Sequence, residues 1–497
     1  MEIVLASYPR FLPEIAITVA LLLVVLVDAS GIPARHGLIR LLTALGLAVA
    51  LGLSLVTRGA PAEIWSGMLV ADPMADFFKA LLLGASLLVV LAFTFRNSAE
   101  LHGLGQGEFH ALLLAVTLSN LLLASANDLA MLYLALEMVS VTSYVMVAYL
   151  KGDRMSNEAS LKYVLFGAVS TGAMLYGLSF LYGLTGTTSL PEIQAFLAEG
   201  LTNENRFAVY VIALLVFSGF GFKTAAVPFH FWCPDVYEGA PTPVTAFLSV
   251  APKAAGFSIM LRFFWSGLST RGATPWQLAG TIDWAQLLML ISVATMTLGN
   301  VAALTQTNLK RLLAYSSIAH AGFVMMGVVA LSEDGARGMM IYLLVYVFMN
   351  LGAFLVVTLI HKQDGTFDLR DYAGMSKRAP FLTGAMAMFL LSLMGIPPLV
   401  GFMGKFYVFA AVIERGAAYW WYAVVGAVNA AIAAYYYARV LKTMIIDEPH
   451  VEKPAFRLPT ADFAWLAALA AANVFPLLFW SRVEAWARAS LSIYAKL

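Results

Sequence analysis

Long apolar runs alternate with short polar connections along almost the whole chain. A helix that crosses a bilayer needs about 20 mostly apolar residues, and fourteen such runs can be marked. They lie near residues 11–28, 38–57, 73–95, 108–125, 127–150, 158–183, 207–232, 242–265, 285–304, 311–331, 336–360, 381–413, 418–441 and 460–481. The pattern predicts an all-α, polytopic membrane protein with about fourteen transmembrane helices.

Composition supports this prediction and narrows the class of protein. Of 497 residues, 61% are hydrophobic and 12% are charged, against about 25% charged in an ordinary soluble domain. Acidic and basic residues number 29 and 30, so no net field attracts nucleic acid. The longest polar connections, near 184–206, 361–380 and 446–459, are too short to form a soluble domain. We therefore expect one membrane domain over residues 1–497.

The single cysteine, Cys233, limits the redox chemistry of the chain. An intramolecular disulfide or a cysteine-ligated iron–sulfur or zinc cluster needs more thiolates, and Gly-rich phosphate loops and clustered metal ligands are absent. The first apolar run lacks a basic lead-in and a small-residue cleavage site, so it is interpreted as a retained span and not as a signal peptide. If the function needs redox centres, they are expected on partner proteins.

The basic residues divide unevenly between the two sides of the membrane. Fifteen of the thirty fall in the connections from odd to even spans, including Lys310 and Arg311, which are interpreted as cytoplasmic anchors. The positive-inside rule therefore predicts that both termini lie outside the cytoplasm. Four lysines belong to neither side because they fall within apolar spans: Lys162, Lys223, Lys253 and Lys405.

These four lysines are the first candidate functional residues. A lysine at the bilayer centre costs roughly 2.5–3.5 kcal/mol, so it usually faces a protein interior or hydrated cavity and marks an ion route. Lys253 lies about midway through its span, whereas Lys162 is close to a helix start and has the alternative of snorkelling to the headgroups. Because neighbouring charges control the protonation of a buried lysine, the set is suited to a proton relay.

A buried carboxylate adds to the set. Glu137 lies near the middle of its apolar run, where an unpaired carboxylate would be costly. The next span supplies Lys162, so we predict an intramembrane Glu137–Lys162 pair. The alternative is a purely structural pair between two helices.

Two of the lysines lie beside predicted helix breaks. Pro228 follows Lys223, and Pro397 and Pro398 precede Lys405. Proline removes a backbone donor and interrupts the helical ladder, and broken helices in transporters often line a hydrated cavity.

The breaks also suggest an internal symmetry. They fall in the seventh and twelfth spans, five apart, which is the arrangement of two inverted five-helix repeats. We predict three N-terminal helices in 1–107, a first repeat of helices 4–8 in 108–265, an inverted repeat of helices 9–13 in 285–441, and a last helix in 460–481.

Two histidines are further relay candidates. His230 comes seven residues after Lys223, on the same face if the helix continues, or at the cytoplasmic mouth if it does not. His320 lies midway through the tenth span beside Ser316 and Ser317. Histidine can carry a proton near neutral pH, although a buried histidine that is satisfied within the core is the alternative.

Three sequence stretches resemble a known family. HFWCPDVYEGAPTPVTAFLSVAPKAAGF, LKRLLAYSSIAHAGF and LSLMGIPPLVGFMGKFYVF look like the N subunit of bacterial NADH:quinone oxidoreductase, respiratory complex I. In related subunits and multisubunit antiporters the first stretch reads more like Pro-Leu-His followed by Trp-Leu-Pro-Asp. A lysine at Lys405, where the M subunit has glutamate, argues against the M subunit. The end at Leu497 leaves no room for the lateral helix of the L subunit.

The resemblance implies a proton-translocating, antiporter-like subunit of the bacterial inner membrane with both termini periplasmic. Its charged relay corresponds to Glu137, Lys162, Lys223, Lys253 and Lys405, with His230 and His320 nearby. The family binds no redox cofactor, so FMN, iron–sulfur clusters and quinone would belong to partners, and K, J and M subunits are the expected neighbours. Alternatives are a subunit of a multisubunit cation/proton antiporter or of a membrane-bound hydrogenase, or a purely structural scaffold, for which buried lysines are an unexplained cost.

Overall fold

A computed structural model describes residues 7–32, 35–93, 100, 105–199, 203–270, 277–278, 283–449 and 454–491. Within these ranges twelve helices are long and apolar enough to cross a membrane, and a helix pair bent by 43° in the last run supplies a thirteenth. The remaining predicted span, 381–413, is occupied by two shorter helices on either side of residues 395–399. The predicted all-α polytopic fold is confirmed.

The helices are numbered by the span to which they belong, and broken spans carry the suffixes a and b. They are α1 (Leu12–Ala29), α2 (Arg35–Val56), α3 (Pro73–Ala92), α4 (Gln106–Ser125), α5 (Leu129–Val147), α6 (Arg154–Thr185), α7a (Asn203–Thr224), α7b (Trp232–Gly239), α8 (Thr242–Arg262), α9 (Trp284–Ala303), α10 (Leu309–Val329), α11 (Glu333–Asp364), α12a (Pro380–Met394), α12b (Val400–Glu414), α13 (Trp420–Ile445), α14a (Thr460–Ala471) and α14b (Trp480–Ala489). Short helical segments lie at Tyr8–Arg10, Leu190–Ala198, Phe263–Gly267, Leu369–Tyr372, Met375–Arg378, Ala417–Tyr419 and Phe475–Phe479.

Two small antiparallel hairpins complete the described secondary structure. β1 (Ala62–Ile64) pairs with β2 (Leu69–Ala71), and β3 (Ser269–Thr270) pairs with β4 (Gln277–Leu278). The first follows α2 and the second follows α8, so both lie on the side of the bundle where α1 begins. This side is called the terminal face, and the other side is called the opposite face.

Polar residues immediately before the apolar runs set several helix starts. The side chains of Asp72, Asp128, Asp153 and Asn308 each accept hydrogen bonds from first-turn amides of α3, α5, α6 and α10. Such caps satisfy amides that have no partner within the helix. The short polar connections therefore fix where each span begins.

The centre of the bundle is α8, in which every residue from Thr242 to Arg262 is buried. Helices α10 and α11 are also buried along most of their length. Close contact between α9 and α10 depends on Gly322, where an added Cβ would lie 2.6 Å from the Met296 amide nitrogen. Lys253 on α8 and His320 on α10 are thereby placed in the interior.

Buried ion pairs join the first three helices to the rest of the bundle. Arg262 at the end of α8 donates to both carboxylate oxygens of Asp72 at 2.6 and 3.1 Å. Lys79 on α3 lies 2.8 Å from Glu14 on α1, with both side chains almost fully buried. Because removing one partner of a buried pair leaves an uncompensated charge, these contacts tie α1, α3 and α8 together at the terminal face.

Both predicted helix breaks are present. A turn at 225–231 separates α7a from α7b, and residues 395–399 separate α12a from α12b. Each break holds a cis prolyl bond, Val227–Pro228 and Pro397–Pro398. The division into inverted repeats and the domain bounds stay predictions.

Candidate functional site

Lys223 lies in the last turn of α7a and is 1% exposed. Within the described part of the chain its Nζ has no hydrogen-bond partner, and it lies 5.9 and 5.7 Å from the ring centres of Tyr163 and Phe222. The carboxylate whose charge acts on it is that of Glu137 on α5. The ammonium is therefore held by aromatic rings and a carboxylate field, without a fixed acceptor.

The backbone beside Lys223 explains why no acceptor is available. The Phe222 carbonyl accepts a hydrogen bond from the Trp232 indole at 2.9 Å. The Gly221 carbonyl accepts one from the Ala226 amide at 2.7 Å. Two carbonyls at the first break thus have partners other than the lysine.

Lys253 occupies the middle of α8. Its Nζ donates to Ser317 of α10, at 2.6 Å to Oγ and 3.2 Å to the carbonyl. The ammonium also lies 5.8 Å from the ring centre of Tyr237 on α7b. Within the described part of the chain no hydrogen bond joins Lys253 to Lys223.

His320, one turn after Ser316 and Ser317, is bonded on both ring nitrogens. Nδ1 lies 2.7 Å from the Tyr342 hydroxyl and Nε2 lies 3.2 Å from the Tyr437 hydroxyl. The Tyr437 hydroxyl is in turn 2.5 Å from Ser316 Oγ. The His320 ring also lies 6.3 Å from the ring of Phe323, which is in turn 4.8 Å from the Lys405 ammonium, so His320 is near the surroundings of Lys405.

Lys405 lies in the second turn of α12b and is buried. Its Nζ donates to the carbonyls of Leu393 and Met394 at 3.1 and 2.8 Å. It also lies 4.8 Å from the ring centre of Phe323. The lysine therefore caps the end of α12a across the break, where carbonyls lack helical partners.

Two sets of polar contacts lie between Lys253 and the neighbourhood of Lys405. Ser317 contacts Lys253, and its sequence neighbour Ser316 begins a separate chain through Tyr437 to His320; among the described residues no hydrogen bond joins the two serine side chains. Hydroxyl groups and a neutral imidazole each combine a donor and an acceptor, so such a chain is chemically able to pass a proton.

The predicted Glu137–Lys162 pair is wrong. Lys162 lies 2.7 Å from Asp235 of α7b and 2.9 Å from Glu158, one turn earlier on its own helix. Glu137 is half-buried and instead interacts with Tyr133, one turn before it. Lys162 thus pairs with two carboxylates near the opposite face. Glu158 is close in sequence, but the contact with Asp235 could not be predicted from sequence spacing.

Asp235 belongs to a charge cluster that the sequence analysis missed. Arg311 Nη1 lies 2.6 Å from Asp235 and 2.7 Å from Glu238. Asp235 therefore contacts two basic side chains, Lys162 at 2.7 Å and Arg311 at 2.6 Å. Arg311 is thus a member of this cluster. An acidic residue soon after the first helix break, Asp235, was the sequence feature that could have indicated the cluster.

His230 lies in the turn between α7a and α7b, so the helix does not continue from Lys223 to it. The side chain is buried, with 4% of its surface exposed. Its ring lies beside Phe231, 4.3 Å between centres. The predicted shared helix face is wrong, and a role in the relay stays a prediction.

The buried hydroxyls around the lysines were also missed. Tyr342 and Tyr346 lie on α11, one turn apart, and Asn350 follows one turn later with its Nδ2 2.6 Å from Ser249 Oγ. This spacing of four residues puts the three on one helix face. A polar stripe within an apolar span was the signal that could have found them.

Comparison with known proteins places this geometry in a family. The model of the NADH:quinone oxidoreductase/Mrp antiporter transmembrane family matches residues 126–433, which include all seven candidate residues. NADH-quinone oxidoreductase subunit N of Anaeromyxobacter sp. is 47% identical over 97% of this chain and 96% of the relative. The chain belongs to the NADH-quinone oxidoreductase subunit N family. It is therefore an antiporter-like membrane subunit, as the resemblance implied.

Solved structures agree with this assignment. A chain of respiratory complex I from Thermus thermophilus with bound aureothin has a TM-score of 0.78 and 32% identity, over 95% of this chain and 98% of that one. A chain of the Mrp complex from Dietzia sp. has a TM-score of 0.82 at 19% identity, over 98% of each chain. The second likeness establishes the fold alone.

Proposed function

We propose that this subunit transfers protons from the cytoplasm to the outside along its buried axis, coupled to quinone reduction in partner subunits. The axis comprises seven residues: Glu137, Lys162, Lys223, Lys253, Lys405, His230 and His320. Subunit N relatives at high identity over nearly the whole chain support this function over that of an independent cation/proton antiporter.

One observation carries the proposal. Lys253 is fully enclosed on α8, and its ammonium is bonded to Ser317, next to the hydroxyl chain that reaches His320. A structural bundle gains little from a buried cation, because desolvation opposes its charge. A group that must exchange a proton with neighbours needs this kind of setting.

The direction follows from the placement of charge. The opposite face has the greater share of basic residues, so it is assigned to the cytoplasm. We infer that protons enter towards Lys223, pass by way of Lys253 and His320, and leave past Lys405 along α12b to the terminal face. On this proposal both termini are periplasmic and the chain lies in the inner membrane; residues 1–6 and 492–497 lie outside the described residues.

Glu137 is proposed to control the first step. Its negative charge acts on Lys223 of α7a, and a carboxylate stabilises the protonated form of a nearby amine. Lys162, which is held by Asp235 and Glu158, links the axis to the charge cluster at the opposite face. Changes at that cluster would alter the field at the start of the axis.

The chain is proposed to work without a redox centre of its own. FMN, iron–sulfur clusters and quinone are assigned to partner subunits, with K, J and M subunits as membrane neighbours. One row of large apolar residues on α6 is exposed and available for lipid or a neighbour: Leu161, Leu165 and Val169. Purification through a tag on this chain would test the assignment by the subunits that copurify.

The decisive experiment is Lys253→Met in the assembled complex, reconstituted into sealed vesicles. Proton uptake and NADH:quinone turnover should both fall by about tenfold or more, as expected when a proton-transfer group is lost. Lys442→Met is the matched control because Lys442 is exposed and pairs with Asp447. Unchanged proton transfer by an assembled Lys253→Met complex would contradict the proposal.

A further inference from the structure

Three titratable side chains meet at the opposite face, away from the seven axis residues. The Lys310 ammonium, in the first turn of α10, lies 3.8 Å from a carboxylate oxygen of Glu100. The imidazole of His361, in the last turn of α11, lies 4.0 Å from the same oxygen. The carboxylate thus faces both an amine and an imidazole.

Lys310 is not the surface anchor that the sequence suggested. Its side chain is 1% exposed, and Nζ donates to the Ala240 carbonyl at 2.6 Å. Phe367 packs between the two bases, with the Lys310 ammonium 4.7 Å from its ring centre and the His361 ring stacked at 4.0 Å. Lys310 and His361 therefore belong to one cluster, in which Lys310 is buried and His361 is half-buried.

Glu100 connects this cluster to the surface. It lines a cavity of about 500 Å³ at the opposite face, together with Glu108, Tyr149 and Asp153. Its second carboxylate oxygen accepts a hydrogen bond from the Thr242 amide at 2.7 Å. The carboxylate therefore lies between an open cavity and the start of α8, the helix that carries Lys253.

A polar route leads from the cluster towards Lys253. Lys310 and Ser317 are seven residues apart on α10, or about two turns on one face, and Ser317 is bonded to Lys253. Among the described residues, buried polar atoms without a hydrogen-bond partner occur in the same region, namely Thr242 Oγ1 and Asn350 Oδ1. Polar atoms of this kind are suitable partners for water molecules.

Other charged groups define the field at this site. Glu238 of α7b and Asp153 at the start of α6 act on Lys310 together with Glu100. Arg311, next to Lys310, neutralises Glu238 at 2.7 Å. Lys310 and Glu100 in turn act on His361.

We propose that Glu100, Lys310 and His361 form a proton-uptake site that supplies Lys253 from the opposite face, separately from the route to Lys223. Glu100 accepts a proton that arrives from the cytoplasmic solution through water in the cavity, and the nearby Lys310 and His361 favour the return of Glu100 to its carboxylate form. The proton then moves to the neutral amine of Lys253 through water and the Ser317 hydroxyl, which returns Glu100 to its carboxylate form. This inference rests on the proposed proton-transfer function and adds a second entrance for protons into the buried axis.

The first test is Glu100→Gln, which keeps the side-chain size and an acceptor for the Thr242 amide. Proton uptake by vesicles with the complex facing outward should fall by about tenfold at alkaline pH, where protons are scarce, and much less at acidic pH. Glu100→Asp should restore part of the rate. Asp368→Asn, which removes a carboxylate paired with Arg370 at the same face, should leave the pH profile unchanged.

His361→Gln provides an independent variant that leaves the bond between Glu100 and the Thr242 amide in place. It should shift the pH profile in the same direction. Parental rates and pH profiles in either assembled variant would overturn the uptake site. If Lys253→Met also translocated normally, the proposed function itself would fail, so the two failures are distinguishable.

Access to the site can be measured without turnover. Glu100→Cys should react with a membrane-impermeant thiol reagent added from the cytoplasmic side, and a reagent that carries a carboxylate should restore proton uptake. Cys233, the single native cysteine, is buried and provides the background control. Protection of the introduced cysteine from that side would overturn the proposal.

Discussion

In α7 the lysine comes before the helix break, whereas in α12 it comes after. The carbonyls beside Lys223 are taken by the Trp232 indole and a backbone amide, so its ammonium has no hydrogen-bond acceptor. Lys405 reaches back over its break and donates to the Leu393 and Met394 carbonyls. Two lysines at similar positions in the sequence thus differ in their surroundings. Lys223 is influenced mainly by the charge of Glu137, whereas Lys405 is hydrogen-bonded to the backbone of the helix break.

This difference separates two roles that a buried lysine can combine. Lys223 is free to gain or lose a proton without disturbing any hydrogen bond, and its nearest control is Glu137. Lys405 stabilises the broken helix in which it lies. Substitutions should therefore affect proton transfer at both sites but stability mainly at α12.

The largest expected effect is a difference in thermal stability between variants of Lys405 and Lys223. Lys405→Met leaves the buried Leu393 carbonyl and the partly buried Met394 carbonyl without this donor, and a buried acceptor without a partner costs about 1–3 kcal/mol. Lys223→Met removes a buried charge that has no hydrogen bond within the described part of the chain. We expect thermal unfolding of the purified complex to occur at lower temperature for Lys405→Met only. Both variants should lose proton transfer. Equal stability of the two variants would show that the Lys405 bonds contribute nothing.

A smaller effect should follow from Glu137→Gln. Loss of the carboxylate charge weakens protonation of Lys223, and one pKa unit corresponds to about 1.4 kcal/mol or a tenfold change. We expect turnover and proton transfer to fall together by about this factor, with unchanged thermal stability. Glu414→Gln, at an exposed acid at the end of α12b, is the control. Normal proton transfer in assembled Glu137→Gln would remove Glu137 from the mechanism.

The smallest effect concerns the backbone at the two breaks. Gly395 has φ +87°, and an added Cβ would lie 2.9 Å from Lys405 Cδ, so Gly395→Ala should destabilise by about 1–2 kcal/mol and displace the lysine. Ala225 in the first break already has φ +59°. Ala225→Gly relieves that strain and should change stability by less than about 1 kcal/mol. Thermal unfolding of the two variants checks the contrast, and a greater loss for Ala225→Gly would reverse it.

Helix placement was predictable because length and apolarity alone determine whether a segment can cross a bilayer. The prolines at 228, 397 and 398 located both breaks, and the lysines within spans located the buried charges. These features depend on residues close together in the chain.

Side-chain partners were less predictable because they depend on how distant helices are rotated against one another. Lys162 finds Asp235, 73 residues later, and not the carboxylate of the preceding span. Lys310 looked like a surface anchor because it follows a polar connection, yet packing of Ala240 and Phe367 encloses it. His230 falls in a turn because α7a ends at Thr224, six residues before it.

The two carbonyls around Lys405 also set how much its surroundings must change when it titrates. A protonated lysine offers three N–H groups and a neutral one offers two, while two carbonyl bonds are present. Either charge state therefore satisfies the same acceptors, and the proton that leaves is the one that the backbone does not use. Lys405 can therefore change its charge without a change in these backbone hydrogen bonds. The structural reorganisation at the second break is then small, and the surrounding groups set the proton affinity of Lys405.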